Sequence, residues 1–189
     1  MPTKGEGVAA TILPPDGIVP NLLVALTVLS AKPIELSHIQ RKRWMRQLLK
    51  RAELVGQRGE VPVCAVILDS TGHCIGHGSN RREQERDPLG HAEIAALKQA
   101  SRLRNDWRFN DCTLIVTLEP CPMCAAALVQ ARMGQVIFAA HDMKRGGLGG
   151  TIDLANHISS HHHMTVIGGV EEKAARQQLE QWFRLRRQQ

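Results

Sequence analysis

At 189 residues, 43% of them hydrophobic, the chain can fold around one full core but not two. Its formal charge of +6, from 24 Lys and Arg against 18 Asp and Glu, suits a polyanionic partner without requiring one. No apolar stretch reaches the roughly 18 residues that cross a bilayer, which argues against a transmembrane helix, and five cysteines, an odd number, fit a reducing compartment better than a disulfide framework.

Residues 1–36 differ from the rest, with five of the nine prolines (Pro2, Pro14, Pro15, Pro20, Pro33) and few charges. They read as a loosely ordered Pro-rich extension preceding a domain over 37–189. The apolar run Leu22 to Leu29 follows a leader whose sole base is Lys4, so no signal peptide is expected and a cytoplasmic location is. Leu36 to Gln57 is expected to be helical, because Met45, Leu48, Leu49, Ala52 and Val55 recur on one face. Val61 to Leu68 reads as a buried strand, followed by a turn at Thr71-Gly72 and a short strand from Cys74 to Gly78.

A helix is expected from Pro88 to Leu103, with Asp87 as its cap and Pro88 in its first position. Thr113 to Leu118 reads as a strand, and Cys121 to Met133 as a helix ended by Gly134. Gln135 to Ala140 and Met164 to Gly168 read as strands, and Glu171 to Arg187 as the last helix. Strands alternating with helices predict an α/β fold, a three-layer α/β/α sandwich on a mixed sheet of about five strands, the later ones parallel.

Two short motifs carry the chemistry: His91-Ala92-Glu93 and Pro120-Cys121-Pro122-Met123-Cys124. Cysteines three apart at a helix start lie on one face and form a bidentate clamp for a metal. The positive end of the helix dipole favours their thiolates. His91, placed in the first turn of its own helix, can give a third ligand. Three protein ligands leave one tetrahedral position open, as at a catalytic zinc. Glu93 then fits as the proton carrier, provided that the first turn frays enough for both side chains to face one pocket. A structural zinc ribbon would need Cys64 and Cys74 to join the pair, and their spacing is wrong for it. Cys64 and Cys112 read as buried packing residues.

The H-x-E and P-C-x-x-C motifs resemble those of the zinc nucleobase deaminases. Within that class the chain is similar to the bacterial tRNA adenosine deaminases from about His38 to Arg187. The resemblance runs through Trp44-Met45-Arg46, Glu60-Val61-Pro62-Val63, Asn80, Asp87-Pro88, Val116-Thr117-Leu118-Glu119, Asp142 with Lys144 and Gly146, and Phe183-Arg184-Leu185-Arg186-Arg187. It implies a cytidine deaminase-like fold and a homodimer. It also implies one Zn²⁺ per subunit on His91, Cys121 and Cys124, with Glu93 as acid/base. The implied reaction turns the wobble adenosine of a tRNA anticodon, expected to be an arginine tRNA, into inosine, through attack by a zinc-bound hydroxide.

By the same resemblance Asn80 holds the target base and Asp142 lies against the ribose-phosphate chain. Taken alone, both positions read as turn formers. Arg184, Arg186 and Arg187 are expected to touch phosphates, although such a run also suits a solvated helix end. Departures from the family pattern are Cys64 in the first strand, Leu89-Gly90 before His91, and His161-His162-His163 where Asn-His is usual. The main alternative is a guanine deaminase acting on the free base, which needs neither the Asp142 loop nor a basic tail. A cytidine deaminase ranks below it. An inactive partner subunit is disfavoured by the presence of Glu93.

Overall fold

The computed structural model describes residues 31–188. Most of the expected N-terminal extension, including the run Leu22 to Leu29, lies outside the described residues. At its described end Leu36 is 3% exposed and Ile34 packs on the same apolar cluster, so domain packing begins a little ahead of residue 37.

Ser37 opens helix α1 (His38–Gln57) with a reciprocal cap. Its hydroxyl accepts from the Gln40 amide, and Gln40 Oε1 accepts from the Ser37 amide. The five apolar positions expected on one face of α1 are its five buried residues. Strands β1 (Cys64–Leu68) and β2 (Cys74–Ser79) follow, then a one-turn helix α2 (Arg82–Glu85), helix α3 (Ala92–Arg104), strand β3 (Thr113–Leu118) and helix α4 (Pro122–Gln130). Strands β4 (Gln135–Ala140) and β5 (Thr165–Ile167) and helix α5 (Glu172–Arg186) complete the chain. The sheet order is β2-β1-β3-β4-β5; β1 is antiparallel to β2 and β3, while β4 is parallel to β3 and β5.

Period-two alternation divides the strands between two apolar layers. Ala65, Ile67, Leu114, Val116, Val136 and Phe138 face α3 and α4. Cys64, Val66, Leu68, Ile115, Ile137 and Ala139 face α1 and Ala175 of α5. The expected α/β/α sandwich on a five-stranded mixed sheet is therefore the fold.

Three boundaries differ by three residues or more. β1 starts at Cys64 rather than Val61, because Pro62 has no amide to give a ladder and the Val63 amide turns back to Val61 O at 2.7 Å. α4 ends at Gln130 rather than Met133: Arg132 takes a left-handed φ of 53°, and the Met133 amide bonds Leu128 O at 3.0 Å. The helix expected from Pro88 starts only at Ala92. Asp87 does not cap it; its Oδ1 accepts from the Leu89 amide at 2.8 Å and its carbonyl from the Gly90 amide at 3.0 Å, closing a local turn. His91 takes the capping position instead, with extended backbone angles.

The seat of α3 on β2 depends on small residues. A Cβ on Gly78 would lie 2.1 Å from Ala92 O, and one on Gly76 2.5 Å from Ala96 O. Ala92, Ala96 and Ala100 form the opposing buried stripe. Gly78→Val is expected to push out the start of α3, costing about 1–3 kcal/mol through overpacking. Because Ala92 follows His91, metal content should fall as well. Denaturant melts and metal analysis read the two effects; parent-like values in both would show that this contact has slack.

Candidate active site

Strand direction gathers the functional residues at one end of the sheet. β3 and β4 run parallel, so the chain leaves both at their C-terminal ends, carrying Cys121 from one and Asp142 from the other. β1 runs opposite to β3, and β2 opposite to β1, so the segment before β1 (Glu60) and the segment after β2 (Asn80) emerge at that same end. Carboxyl ends of parallel strands are the usual place for a site in such sheets.

Cys121 is the cap residue of α4, Pro122 occupies the first turn, and the Cys121 carbonyl accepts from the Ala125 amide at 2.8 Å. Cys124 stands one turn on and is fully buried. His91 Nδ1 lies 3.7 Å from Cys121 Sγ and 3.4 Å from Cys124 Sγ. One ligand atom from each of the three residues falls within 4.8 Å of the others. The Cys121 thiol is driven down to about 3, first by the hydrogen bond that Cys124 gives it and then, against burial, by His91. Cys124 is driven up, first as the donor in that bond and then by burial. The hydrogen bond with Cys121 leads the upward shift of His91. Two sulfurs and an imidazole converging at a helix N-terminus suit Zn²⁺, with one position left for a small ligand.

Glu93 is 4% exposed, and burial holds its carboxyl above the usual carboxylate range. The capping position of His91 removes the geometric difficulty that a helical His-x-Glu poses. A residue outside the helix, at φ −87° and ψ 150°, is not bound to the rotation of about 100° per residue that separates side chains within it. His91 and Glu93 can thus serve one pocket without fraying.

Two further carboxylates organise the site, Glu119 and Glu60, and nothing in the local sequence pattern assigns either a role. Glu119 has a side chain with no exposure and accepts the amides of Asp142 (2.9 Å), Leu148 (3.0 Å) and Gly150 (2.8 Å), which clamps the loop after β4. A Cβ on Gly146 would stand 2.4 Å from that carboxylate, so glycine lets the loop close on it. Glu60, 3% exposed, accepts from Asn80 Nδ2 at 2.9 Å and from the Gln84 amide at 2.8 Å. The available signal was an acid at the mouth of a buried strand, a position tolerated only when the charge is fully bonded.

The other expected site residues are placed as follows. Asn80 is 7% exposed and held by Glu60, its amide nitrogen committed there. Asp142 Oδ1 accepts from the Lys144 and Arg145 amides, each at 3.0 Å, so it shapes its own turn. Arg186 donates to Gly59 O and stacks 5.1 Å from the Trp182 ring, fastening α5 to the end of α1. Arg184 and Arg187 are exposed on the same helix end. His162 bonds Met133 O at 2.7 Å and His163 bonds Ala155 O at 2.9 Å, so that run is tied to the backbone rather than gathered around a metal. Cys64 and Cys112 are fully buried, which raises their thiols to about 11 and about 12; neither joins the metal cluster, as expected of packing residues. Among the described residues no helix is long and apolar enough to cross a membrane.

A three-ligand metal site with a buried carboxylate beside it, set on this sandwich, defines a zinc hydrolase of the nucleobase-deaminase class. The family described as cytidine and deoxycytidylate deaminase zinc-binding region matches residues 38–140. The chain belongs to that family and is a zinc-dependent deaminase. It is 37% identical over 145 residues to a tRNA-specific adenosine deaminase of Bacillus subtilis, covering 77% of this chain and 89% of that one. It is 42% identical over 140 residues to a tRNA(Ile)-lysidine synthase of Deinococcus radiodurans, covering 74% of this chain but only 24% of that longer protein. A solved structure from studies of A-to-I editing by tRNA:A34 deaminases at the wobble position matches with a TM-score of 0.69 and 33% identity, over 72% of this chain and 98% of that one.

Proposed function

We propose that the protein hydrolyses adenosine to inosine and ammonia at the wobble position of a tRNA anticodon, an arginine tRNA being the expected substrate. The observation that carries this reading is the His91–Cys121–Cys124 cluster beside buried Glu93. Its support from relatives is the match to tRNA-specific adenosine deaminases along 85–89% of their length. His91, Cys121 and Cys124 would hold the zinc, which would supply the Lewis acidity that activates water for attack. Glu93 carries one proton from the attacking water to the ring nitrogen of the base, where it stays, and then the second, from the hydroxyl left on C6, to the departing amine. C6 gains the oxygen and loses nitrogen as ammonia. Asn80, its amide nitrogen already held by Glu60, offers its oxygen to a donor on the target nucleoside. Asp142, whose Oδ1 serves its own turn, has a second oxygen that can accept from a ribose 2′-hydroxyl.

Leu89, Met143 and Ile152 are exposed on the segments around the site, apolar surface that a second copy in a homodimer would cover. The test is inosine formation on an anticodon stem-loop RNA beside free guanine and free cytidine, with the molar mass of the same preparation read by light scattering. Inosine on RNA and no reaction with the free compounds is the expected result. Efficient turnover of free guanine without action on RNA would replace this reading with a guanine deaminase, and a monomeric mass would remove the homodimer.

A further inference from the structure

A cavity of about 420 Å³ opens between the end of α1 and the loop after β2, and none of the three metal ligands lines it. Arg51, Arg58 and Arg81 stand in its wall against a single carboxylate, Glu60. Both Glu60 oxygens are already engaged, by Asn80 Nδ2 and the Gln84 amide. Arg81 meets Glu85 at 3.0 Å, but that pair is half exposed and correspondingly weak. The contact found for the Arg51 guanidinium is His77 Nδ1 at 3.4 Å, and for Arg58 none is found among the described residues. The positive field is felt nearby: after burial, Arg51 and Arg81 are what hold His77 below its ordinary pKa.

This cavity adjoins the site without being part of it. Asn80 lines it, and the Arg81 amide donates to Gly90 O at 2.9 Å, joining its wall to the residue before His91. Arg58 also lines the crevice that holds Trp182 and Arg186, so the basic end of α5 reaches the same corner. A strand that presents its target base beyond Asn80 can lead one neighbouring phosphate past these arginines. The space exceeds a lone phosphate, and Leu54, with Val55 behind it, adds an apolar wall suited to a sugar or base.

We propose that the Arg51–Arg58–Arg81 cavity seats a nucleotide adjoining the target adenosine in the RNA strand, with its phosphate on the arginines and its sugar against Leu54. The proposal rests on the RNA substrate assigned above. It is tested with anticodon stem-loops in which one linkage beside the target carries a neutral methylphosphonate, binding being followed against salt. The parent should bind the neutral-linkage RNA roughly tenfold more weakly than the unmodified one, the loss of one charge-assisted contact. The double variant Arg58→Gln with Arg81→Gln should bind unmodified RNA at least that much more weakly at low salt, with a salt slope lower by about 0.7, the value for one phosphate of a single strand. In that variant the neutral linkage should cost little more. Zinc content and melting temperature, expected to match the parent, show that the fold is intact. An unchanged slope, or losses from variant and linkage that simply add, overturns the seat. Inosine formation by the parent on unmodified RNA is read in parallel: its absence rejects the substrate and the seat together, while inosine with additive losses rejects the seat alone.

Discussion

Glu93→Gln should keep zinc and fold yet turn over RNA about ten-thousandfold more slowly than the parent, since positioned proton transfer is worth about 10²–10⁴-fold. The carboxylate is not among the three metal ligands, so removing its charge leaves them in place. Glutamine nearly preserves the shape that fills this 4% exposed position, and burying a neutral amide costs less than burying a charge. What would be lost is the group proposed to carry one proton of the water to the base and the other to the amine. One residue serves several transfers, so the loss should stand at the upper end of that range or beyond. Single-turnover assays with metal analysis on the same samples separate the two properties. Parent-like turnover in a zinc-loaded variant would remove Glu93 from the mechanism, whereas loss of zinc would show that the carboxylate supports the metal.

Cys121→Ala should lower zinc from one ion per chain to nearly none and abolish turnover. Two ligands would remain, and the low-pKa sulfur at the start of α4 would be gone. Cys64→Ala, Cys74→Ala and Cys112→Ala should retain the metal, because their sulfurs lie outside the cluster. The melting temperature of Cys121→Ala should fall to that of the chelator-treated parent and no further. Metal that binds the folded chain stabilises it by mass action, and Cys121 packs no core of its own. Zinc retained by Cys121→Ala but lost from the Cys64 or Cys74 variant would restore the ribbon arrangement.

Sequence by itself determined what local periodicity and close spacing encode. The buried stripe of α1 follows from helical repetition of Met45, Leu48, Leu49, Ala52 and Val55, and β3 and β4 from short, largely apolar runs with the bounds that the structure has. Cys121 and Cys124 were legible as a pair because both the clamp and the helix start that favours it lie within four consecutive residues. Tertiary structure alone decided where α3 begins. Asp87 is a good cap by residue type, but its side chain bonds the Leu89 amide two residues on, and the start of the helix passes to His91.

The same holds for the groups that position the site. Glu60 meets Asn80 across 20 residues and Glu119 meets Gly150 across 31, because antiparallel and parallel strands bring distant segments to one end of the sheet. Arg186, expected from the sequence to touch phosphate, is fastened to a backbone carbonyl 127 residues away. Local pattern reports which side chains a segment buries. Which partner a polar group finds depends on the strand order, and that is settled only when the two apolar layers close on the sheet.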